Sequence, residues 1–456
     1  MAKVLTNDKS FYKTLIKLAI PMILQNLITF SVGLADNMMI GSLGDAAVSG
    51  VYMGNQIQTV LQVLSAGIEA AILLISSQYW GRRDTVSIRK IFSIGLRISA
   101  ILGLVFSAVC AVIPRQVISV FTKEPDVISN GVDYLSIVCF TYVFFCITQS
   151  LIASMRSVES ARVGMIVSLC SLLIDVTLNY ILIFGKLGFE AMGVRGAATA
   201  TLIARICETI IITVYVRFVD KKIRLRLKDL KKLDKTLLRD FIKYGIPLVA
   251  GQLVWGINLF SNSVILGHFS ESVITATSLA NTVNSLMFVA MQGISGSIGI
   301  IIGKTVGSGD VSRIREYSRT TQIILVALGI VTSLVFLAIR DPFISYYNIT
   351  EESAAYAKQF INVLRITCIG TCYEAGSLMG LIKSGGDVSF VFKNDTIFVF
   401  CVVIPSAVIT ALCGCPAWVV FACLKCDQVL KCIPAFFKIR RYNWMKNLTR
   451  TEEAKG

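Results

Sequence analysis

Long apolar stretches recur along almost the whole chain and constrain its fold more than any other feature. A helix needs about 20 predominantly apolar residues to cross the hydrocarbon core of a bilayer. Because backbone groups in lipid must be paired within the spanning structure, such stretches predict helices, and we expect an all-α polytopic membrane protein. The twelve predicted spans lie near residues 14–40, 46–78, 91–113, 131–155, 161–184, 193–218, 241–266, 272–303, 319–339, 354–382, 388–411 and 416–436.

The composition agrees with a protein embedded in the lipid bilayer. The chain of 456 residues is 55% hydrophobic and 16% charged, whereas soluble domains carry about 25% charged residues. The first apolar run is too long for the core of a signal peptide, and no small-residue cleavage site follows it. We therefore expect no cleavable signal and a multi-pass protein of the cell membrane.

Basic residues are concentrated in alternate loops between the predicted spans. Residues 81–90, 217–235 and 438–450 are rich in Lys and Arg, whereas 42–46 and 413–416 contain neither. Cytoplasmic loops carry such an excess, so the pattern predicts that both termini are cytoplasmic. It also explains the net charge of +16 without nucleic-acid binding. Four basic residues depart from the pattern in loops placed outside: Arg115, Lys123, Lys186 and Arg195.

The two halves of the chain are copies of each other. "AIPMILQNL" at 19–27 and "GIPLVAGQL" at 245–253 align at an offset of 226 residues. Six spans per copy keep both copies in the same orientation, as in many secondary transporters. The predicted domains are an N-terminal lobe (1–218), a basic cytoplasmic linker (219–240) and a C-terminal lobe with a basic tail (241–456). Repeat-related pairs include Pro21/Pro247, Gly41/Gly267, Asn55/Asn281, Gly67/Gly293, Gly81/Gly307, Asp84/Asp310 and Arg89/Arg315.

Cysteines are numerous, and six of the 13 lie between Cys401 and Cys432. The C-x2-C pattern "CLKC" can indicate a metal or redox site. Here the cysteines lie in or beside apolar spans, and the single histidine of the chain, His268, is distant in sequence. We interpret them as small buried apolar residues and predict no cofactor.

Four segments together resemble the multidrug and toxic-compound extrusion (MATE) family. They occur in the expected order over nearly the whole chain, with the expected duplication. The segments read "IP…LADNMMIGSLGDAAVSG", "GIEAAILLISSQYWGRRD", "LIDVTLNYILIFGKLGFEAMGVRGAATAT" and "LIKSGGD".

This resemblance implies a fold and an activity. It implies twelve transmembrane helices in two pseudo-symmetric six-helix bundles around a V-shaped central cavity. It implies a monomeric secondary antiporter, not an enzyme, that exports organic, usually cationic, compounds or drugs in exchange for H+ or Na+ by alternating access. The family has no ATP site, and this chain has no G-x4-G-K-[ST] motif.

Asp36 is the first candidate site residue. It ends a stretch, from Leu18 to Ala35, that contains no charged residue. An ionised carboxylate in lipid costs at least about 2.5 kcal/mol, so Asp36 must face a polar cavity or take up a proton. By the resemblance, Asp36 matches the span-one aspartate that the family uses for cation coupling.

Asp175 and Asn179 are the second and third candidates. They are four residues apart in span five and therefore share a helix face. Family members that use this face carry Asn and Asp in the opposite order. We predict that Asp36, Asp175 and Asn179 form the cation-coupling site, which is also the candidate Na+ site.

The C-terminal half lacks two carboxylates that the NorM-like branch of the family places in span seven. Trp255 and Asn262 occupy those positions, which favours coupling in the N-terminal half, as in the DinF-like branch. Glu374 is displaced from the remaining acidic position of that branch, and could attract a cationic substrate or pair with Arg365. The candidate substrate-cavity residues are Glu374, Trp255, Asn55, Asn281 and Gln149.

Other charged residues in the spans have open roles. Glu69 has no basic residue within a helical turn. Arg205 with Glu208, and Asp427 with Lys431, have the spacing of ion pairs within one helix, which reduce the cost of charge in a span.

Three other functions remain as alternatives. A lipid-linked oligosaccharide flippase of the same superfamily would carry a basic cavity, whereas charge in these spans is mostly acidic. A membrane-embedded enzyme would need clustered His, Asp or Glu at a membrane face. A non-transporting sensor would have no need for a repeat of six spans.

Overall fold

The computed structural model describes residues 5–225, 229, 233–347 and 349–450. Within these ranges the regular structure is helical, and one isolated backbone bridge pairs Gly386 with Met445. Helices satisfy their backbone hydrogen bonds within one segment, which is what lipid requires. The all-α prediction is confirmed.

In the first half of the chain, the described residues form eight α-helices. Proline begins two short ones, where its fixed φ and missing N–H fit the first helical turn. The helices are α1 (Lys9–Gly41), α2 (Asp45–Gly81), α3 (Thr85–Val112), α4 (Pro114–Ser119), α5 (Pro125–Val138), α6 (Thr141–Ser157), α7 (Ala161–Phe184) and α8 (Gly193–Val214), which continues as the π-helical turn Tyr215–Val219.

In the second half, the part of the chain that the structure describes forms nine α-helices, some of them joined by π-helical segments. They are α9 (Lys235–Gly267), α10 (Glu271–Ser308), α11 (Val311–Ser345), α12 (Glu351–Glu374, continued by π-helix Ala375–Ile382), α13 (Val388–Phe398), α14 (Ile404–Leu412, joined to α13 by π-helix Val399–Val403), α15 (Ala417–Lys425), α16 (Asp427–Leu430) and α17 (Cys432–Arg440).

Most of the predicted spans correspond to single long helices. Among the described residues, eight helical stretches are long and apolar enough to cross a membrane when α13 and α14 are counted as one, and α5 with α6, bent by 51°, would make a ninth. The other three predicted spans contain α8, α12 and the short helices α15 to α17. The last span, predicted as one stretch over 416–436, is therefore divided into three pieces.

The internal repeat is visible in the helices themselves. Helices α1 and α9 have 33 residues each, and Pro21 and Pro247 lie at the same position within them. Asp84 and Asp310 cap α3 and α11 with almost the same backbone angles, φ −81° and ψ 82° against φ −82° and ψ 83°. Each carboxylate accepts a hydrogen bond from the backbone N–H three residues further on, as an N-cap does.

Helix packing is repeated as well. A Cβ on Gly103 of α3 would lie 2.7 Å from the Cα of Val143 in α6. A Cβ on Gly329 of α11 would lie 2.7 Å from the Cα of Ile369 in α12. Both glycines and both partners are 226 residues apart in sequence. Small residues let the backbones of neighbouring membrane helices approach closely, so the two copies use the same contact.

The chain forms two compact units. One comprises Leu24–Val249, and the other comprises Met1–Ile23 together with Ala250–Gly456. The divisions fall within α1 and α9, close to Pro21 and Pro247, where each proline removes one helical hydrogen bond. The lobe boundaries that we placed at 218 and 241 stay a prediction.

The C-terminal segment packs against the loop before α13. Trp444 is fully buried, and a Cβ on Gly385 would lie 2.1 Å from its ring. The backbone N–H of Lys446 donates to the Gly385 carbonyl at 2.7 Å. The Asp387 carboxylate forms ion pairs with Lys438 at 2.7 Å and Lys446 at 2.8 Å. These contacts hold residues 438–446 against the end of the second copy's "SGGD" motif.

Candidate functional site

Two helices bring the three predicted coupling residues together. Asn179 of α7 donates a hydrogen bond from Nδ2 to Asp36 Oδ1 of α1 at 2.7 Å. The same nitrogen donates to Asp175 Oδ2, one turn earlier on α7, at 3.2 Å. One amide group therefore holds two carboxyl groups side by side, and the role of these three residues in coupling stays a prediction.

The cluster is largely removed from solvent. Asp175 is 2% exposed and Asn179 is 1% exposed, while Asp36 is half-buried. Asp175 Oδ1 and Asn179 Oδ1 are buried and have no hydrogen-bond partner among the described residues. Buried oxygens of this kind are costly unless they gain a partner, so the site has free acceptors for a proton or a cation.

The cluster opens into a cavity of about 240 Å³ within the unit Leu24–Val249. Its wall comes from α1, α2, α5, α6, α7 and α8, and polar side chains are frequent in it. The lining residues are Thr29, Val32, Gly33, Asp36, Asn37, Ile40, Asn55, Gln58, Thr59, Gln62, Tyr134, Val138, Thr141, Ser168, Ser171, Asp175, Asn179, Ala197, Thr201, Ala204, Arg205 and Glu208.

Helix α8 adds an ion pair to this cavity. Arg205 Nη1 donates to Glu208 Oε2 at 2.7 Å, as their i, i+3 spacing predicted. The Glu208 side chain is 3% exposed, whereas that of Arg205 is 22% exposed. The cavity is thus lined by three carboxyl groups and one guanidinium.

Of the five candidate substrate residues, Asn55 lines this cavity. Its Oδ1 accepts a hydrogen bond from the Tyr134 hydroxyl at 3.2 Å. Gln149 lies in α6 and is half-buried, away from the lining. Asn281 is exposed on α10, and Trp255 of α9 stacks on Phe288 with ring centroids 5.8 Å apart.

Glu374 is bound by a lysine that the sequence did not connect to it. Lys431 Nζ lies 3.5 Å from Glu374, 3.1 Å from Asp395 and 2.9 Å from Asp427. The predicted pair of Asp427 and Lys431 is present, but it belongs to a larger cluster. The partner of Glu374 is therefore Lys431 and not Arg365, which we had considered.

Sequence reasoning missed several residues of the cavity. Tyr134, Gln58, Gln62 and Thr201 reach the site from three helices that are far apart in sequence. Uncharged polar residues are common in membrane helices, so no spacing pattern distinguished them from helix-packing residues. Glu69 does not line this cavity, and one of its contacts is a hydrogen bond from Ser65 Oγ at 3.2 Å.

Known protein families and structures were compared with this chain, and the family match falls on the two copies of the repeat. A family model described as MatE matches residues 21–181 and 247–412, and each match begins at one of the repeat-related prolines. "Probable multidrug resistance protein NorM" of Thermotoga maritima is 26% identical over 357 residues, which cover 77% of this chain and 75% of that protein. "Uncharacterized transporter YisQ" of Bacillus subtilis is 24% identical, with 84% and 83% covered.

A solved structure confirms the fold. The "outward-facing conformation of a multidrug resistance MATE family transporter of the MOP superfamily" superposes with a TM-score of 0.85 and 17% identity. The match covers 96% of this chain and 98% of that one. Because the family model also covers most of the chain in two successive copies, this chain is a member of the MatE family of multidrug and toxic-compound extrusion transporters.

Proposed function

We propose that this transporter is a secondary active antiporter that exports organic compounds, cationic ones in particular, in exchange for H+ or Na+. The observation that carries the proposal is the pair of carboxyl groups, Asp36 and Asp175, held by Asn179 at the wall of a polar cavity. Ionisable groups of this kind inside membrane spans are typical of ion and substrate pathways.

Two neighbouring carboxylates repel each other unless a cation lies between them. A shared proton or a Na+ ion would remove this repulsion, and Asp175 Oδ1 and Asn179 Oδ1 are unpartnered oxygens beside the pair. Oxygen atoms are the preferred ligands of hard cations. A cation bound in one conformation and lost in the other would shift the conformational equilibrium, as antiport requires.

We place coupling in the N-terminal half. Trp255 and Asn262 stand where the NorM-like branch has carboxylates, and Glu374 already pairs with Lys431. This is the arrangement expected of the DinF-like branch, although the relatives described above include one named NorM. The assignment depends on these three positions.

The charge of the cavity supports a cationic substrate. Asp36, Asp175 and Glu208 contribute three carboxyl groups against the single guanidinium of Arg205. The same balance argues against a lipid-linked oligosaccharide flippase, whose pyrophosphate would need basic groups. Glu374, Trp255, Asn55, Asn281 and Gln149 remain candidate substrate contacts. We further propose a monomer in the plasma membrane with both termini in the cytoplasm.

The test is efflux of a fluorescent organic cation from proteoliposomes under separately imposed pH and Na+ gradients. We expect Asp36→Asn to fold and largely to lose gradient-driven efflux, because asparagine keeps the shape but neither exchanges a proton nor carries a charge. Asp175→Asn should weaken transport less, since Asp36 keeps its own carboxylate. Asp126→Asn, an exposed aspartate in the first turn of α5, is the matched control. Wild-type efflux by Asp36→Asn, with unchanged ion dependence, would exclude this coupling site.

A further inference from the structure

One basic side chain shares the cavity with the coupling carboxylates. Arg205 is the only Lys, Arg or His among the lining residues of this cavity, and Tyr134 is the remaining titratable side chain besides the three acids. An arginine is always charged, so it is a fixed positive charge inside the span.

The Arg205 guanidinium uses only part of its hydrogen-bonding capacity. It donates to Glu208 at 2.7 Å and lies over the Phe145 ring, 5.4 Å from the centroid. A guanidinium carries five N–H donors, and Glu208 is its one hydrogen-bond partner within the described ranges. The Arg205 side chain is also the more exposed member of the pair, and it contributes to the lining of the cavity.

The charge of Arg205 reaches the coupling pair. Arg205 lines the same cavity as Asp36 and Asp175, and besides Glu208 it interacts electrostatically with both of these carboxyl groups. Asn179 already directs its amide group to both carboxyl groups. When the coupling cation leaves, Arg205 is therefore the positive charge of the cavity wall that can compensate the pair.

We propose that Arg205 is a tethered counter-ion that competes with the coupling cation for Asp36 and Asp175, and that Glu208 limits this competition by holding the guanidinium. The inference rests on the proposed function, because it assumes that Asp36 and Asp175 bind the cation. It makes Arg205 and Glu208 positioning residues that set how readily the cation is bound and released. A purely structural ion pair would make the same contact but would leave cation binding unchanged.

The test replaces both members of the pair by neutral residues of similar shape. In Arg205→Gln/Glu208→Gln no buried charge is left without a partner, so folding should be retained. We expect half-maximal efflux at a lower H+ or Na+ concentration than in wild type, by up to about tenfold, because the fixed positive charge beside the pair is removed together with its own counter-charge. For H+ this shifts the pH profile upward by up to about one unit. A midpoint equal to that of wild type would overturn the inference.

A second variant should change the cation concentration at half-maximal efflux in the opposite direction. In Glu208→Gln the guanidinium loses its partner and is free to bind Asp36 and Asp175, so more cation should be needed for the same rate. An unchanged or lower requirement would contradict the proposal even if the double variant failed to fold. The control is Asp133→Asn/Arg195→Gln, which neutralises an exposed ion pair of the same unit and should leave the midpoint at the wild-type value.

The parallel measurement on Asp36→Asn distinguishes a wrong coupling site from a wrong role for Arg205. If its efflux keeps the wild-type ion dependence, the proposed coupling site is wrong. If its efflux loses that dependence while Arg205→Gln/Glu208→Gln keeps the wild-type midpoint, only the role of Arg205 is wrong.

Discussion

Three acidic side chains in the C-terminal half share a single lysine as their ion-pair partner. Lys431 is 6% exposed in its side chain and contacts three carboxylates, from α12, α13 and α16. Breaking a buried ion pair by removing one partner leaves an unpaired charge and costs roughly 3–5 kcal/mol. The stability of this cluster therefore depends on Lys431 more than on any one of its acids.

Replacing this lysine should destabilise the protein strongly. We expect Lys431→Met to lower the Tm of the purified protein in detergent, because one buried and two half-buried carboxylates lose their common partner. Glu374→Gln should cost less, since Asp395 and Asp427 remain bound to the lysine. Lys358→Met removes a lysine whose side chain is 52% exposed and serves as the control. Equal Tm values for Lys431→Met and Lys358→Met would show that the cluster does not stabilise the fold.

The sequence predicted side-chain pairs that are close together along the chain, but not those that are far apart. The pairs Arg205–Glu208 and Asp427–Lys431 are three and four residues apart, so helical periodicity alone predicted them. Asp36 and Asn179 are 143 residues apart, and only the resemblance to a family joined them before the structure did. Lys431, between α16 and α17, is 57 residues from Glu374 of α12 in the sequence, and no local pattern connects them.

Helix pairs are fixed by close backbone contacts that the two copies share. We expect Gly103→Ala and Gly329→Ala each to destabilise the protein by roughly 1–3 kcal/mol, the usual cost of overpacking, because the added Cβ would meet backbone atoms at 2.7 Å. Gly251→Ala in α9 is the control, since nothing lies within 4 Å of its Cβ position. Thermal unfolding in detergent measures the difference. Similar Tm values for all three variants would show that neighbouring helices shift at no cost.

The contact between the C-terminal segment and the loop before α13 depends on pH. Burial alone would raise the pKa of Asp387, but hydrogen bonds and charges from Lys438 and Lys446 outweigh it, so its pKa is lowered. A lowered pKa contributes stability above the unfolded value of about 3.9, and this stability is lost as the pH falls below it.

Asp387→Asn should therefore lower the Tm at pH 7, and the difference from wild type should shrink as the pH falls below about 4. Thermal unfolding across this pH range is the measurement. Asp133→Asn breaks an exposed pair, with Arg195, and should have little effect at any pH. A difference for Asp387→Asn that grows on acidification would contradict the assigned sign.

At the scale of the whole molecule, the sequence predicted the number and order of the spans well and their continuity less well. Hydropathy reports length and composition, which is why α1, α2 and α10 were placed within a few residues. Breaks have a different origin. The last span is interrupted at Cys426 and Lys431, beside the buried charges Lys425 and Asp427, and hydropathy averages over such positions.

Orientation in the membrane is a property of the whole chain, and the basic linker is the place to test it. Residues 217–240 contain ten Lys and Arg, which oppose translocation and so predict a cytoplasmic linker. Asp229→Cys places a thiol in this segment and removes one long ion pair, to Arg89 at 3.9 Å, which contributes about 0–1 kcal/mol. The native thiols Cys401 and Cys413 are exposed, so both should first be changed to serine.

In intact cells we expect an impermeant maleimide to spare Asp229→Cys and to label it once the cells are opened. Ser42→Cys is the matched control, because Ser42 is exposed in the loop between α1 and α2, which lacks Lys and Arg and is predicted to be outside. It should react in intact cells. An even number of spans separates the linker from the N-terminus, so both share one side of the membrane if all six spans of the first half cross it. Labelling of Asp229→Cys in intact cells, with Ser42→Cys protected, would reverse the orientation. Labelling of both would mean that an even number of spans, and not the expected five, lies between the two cysteines.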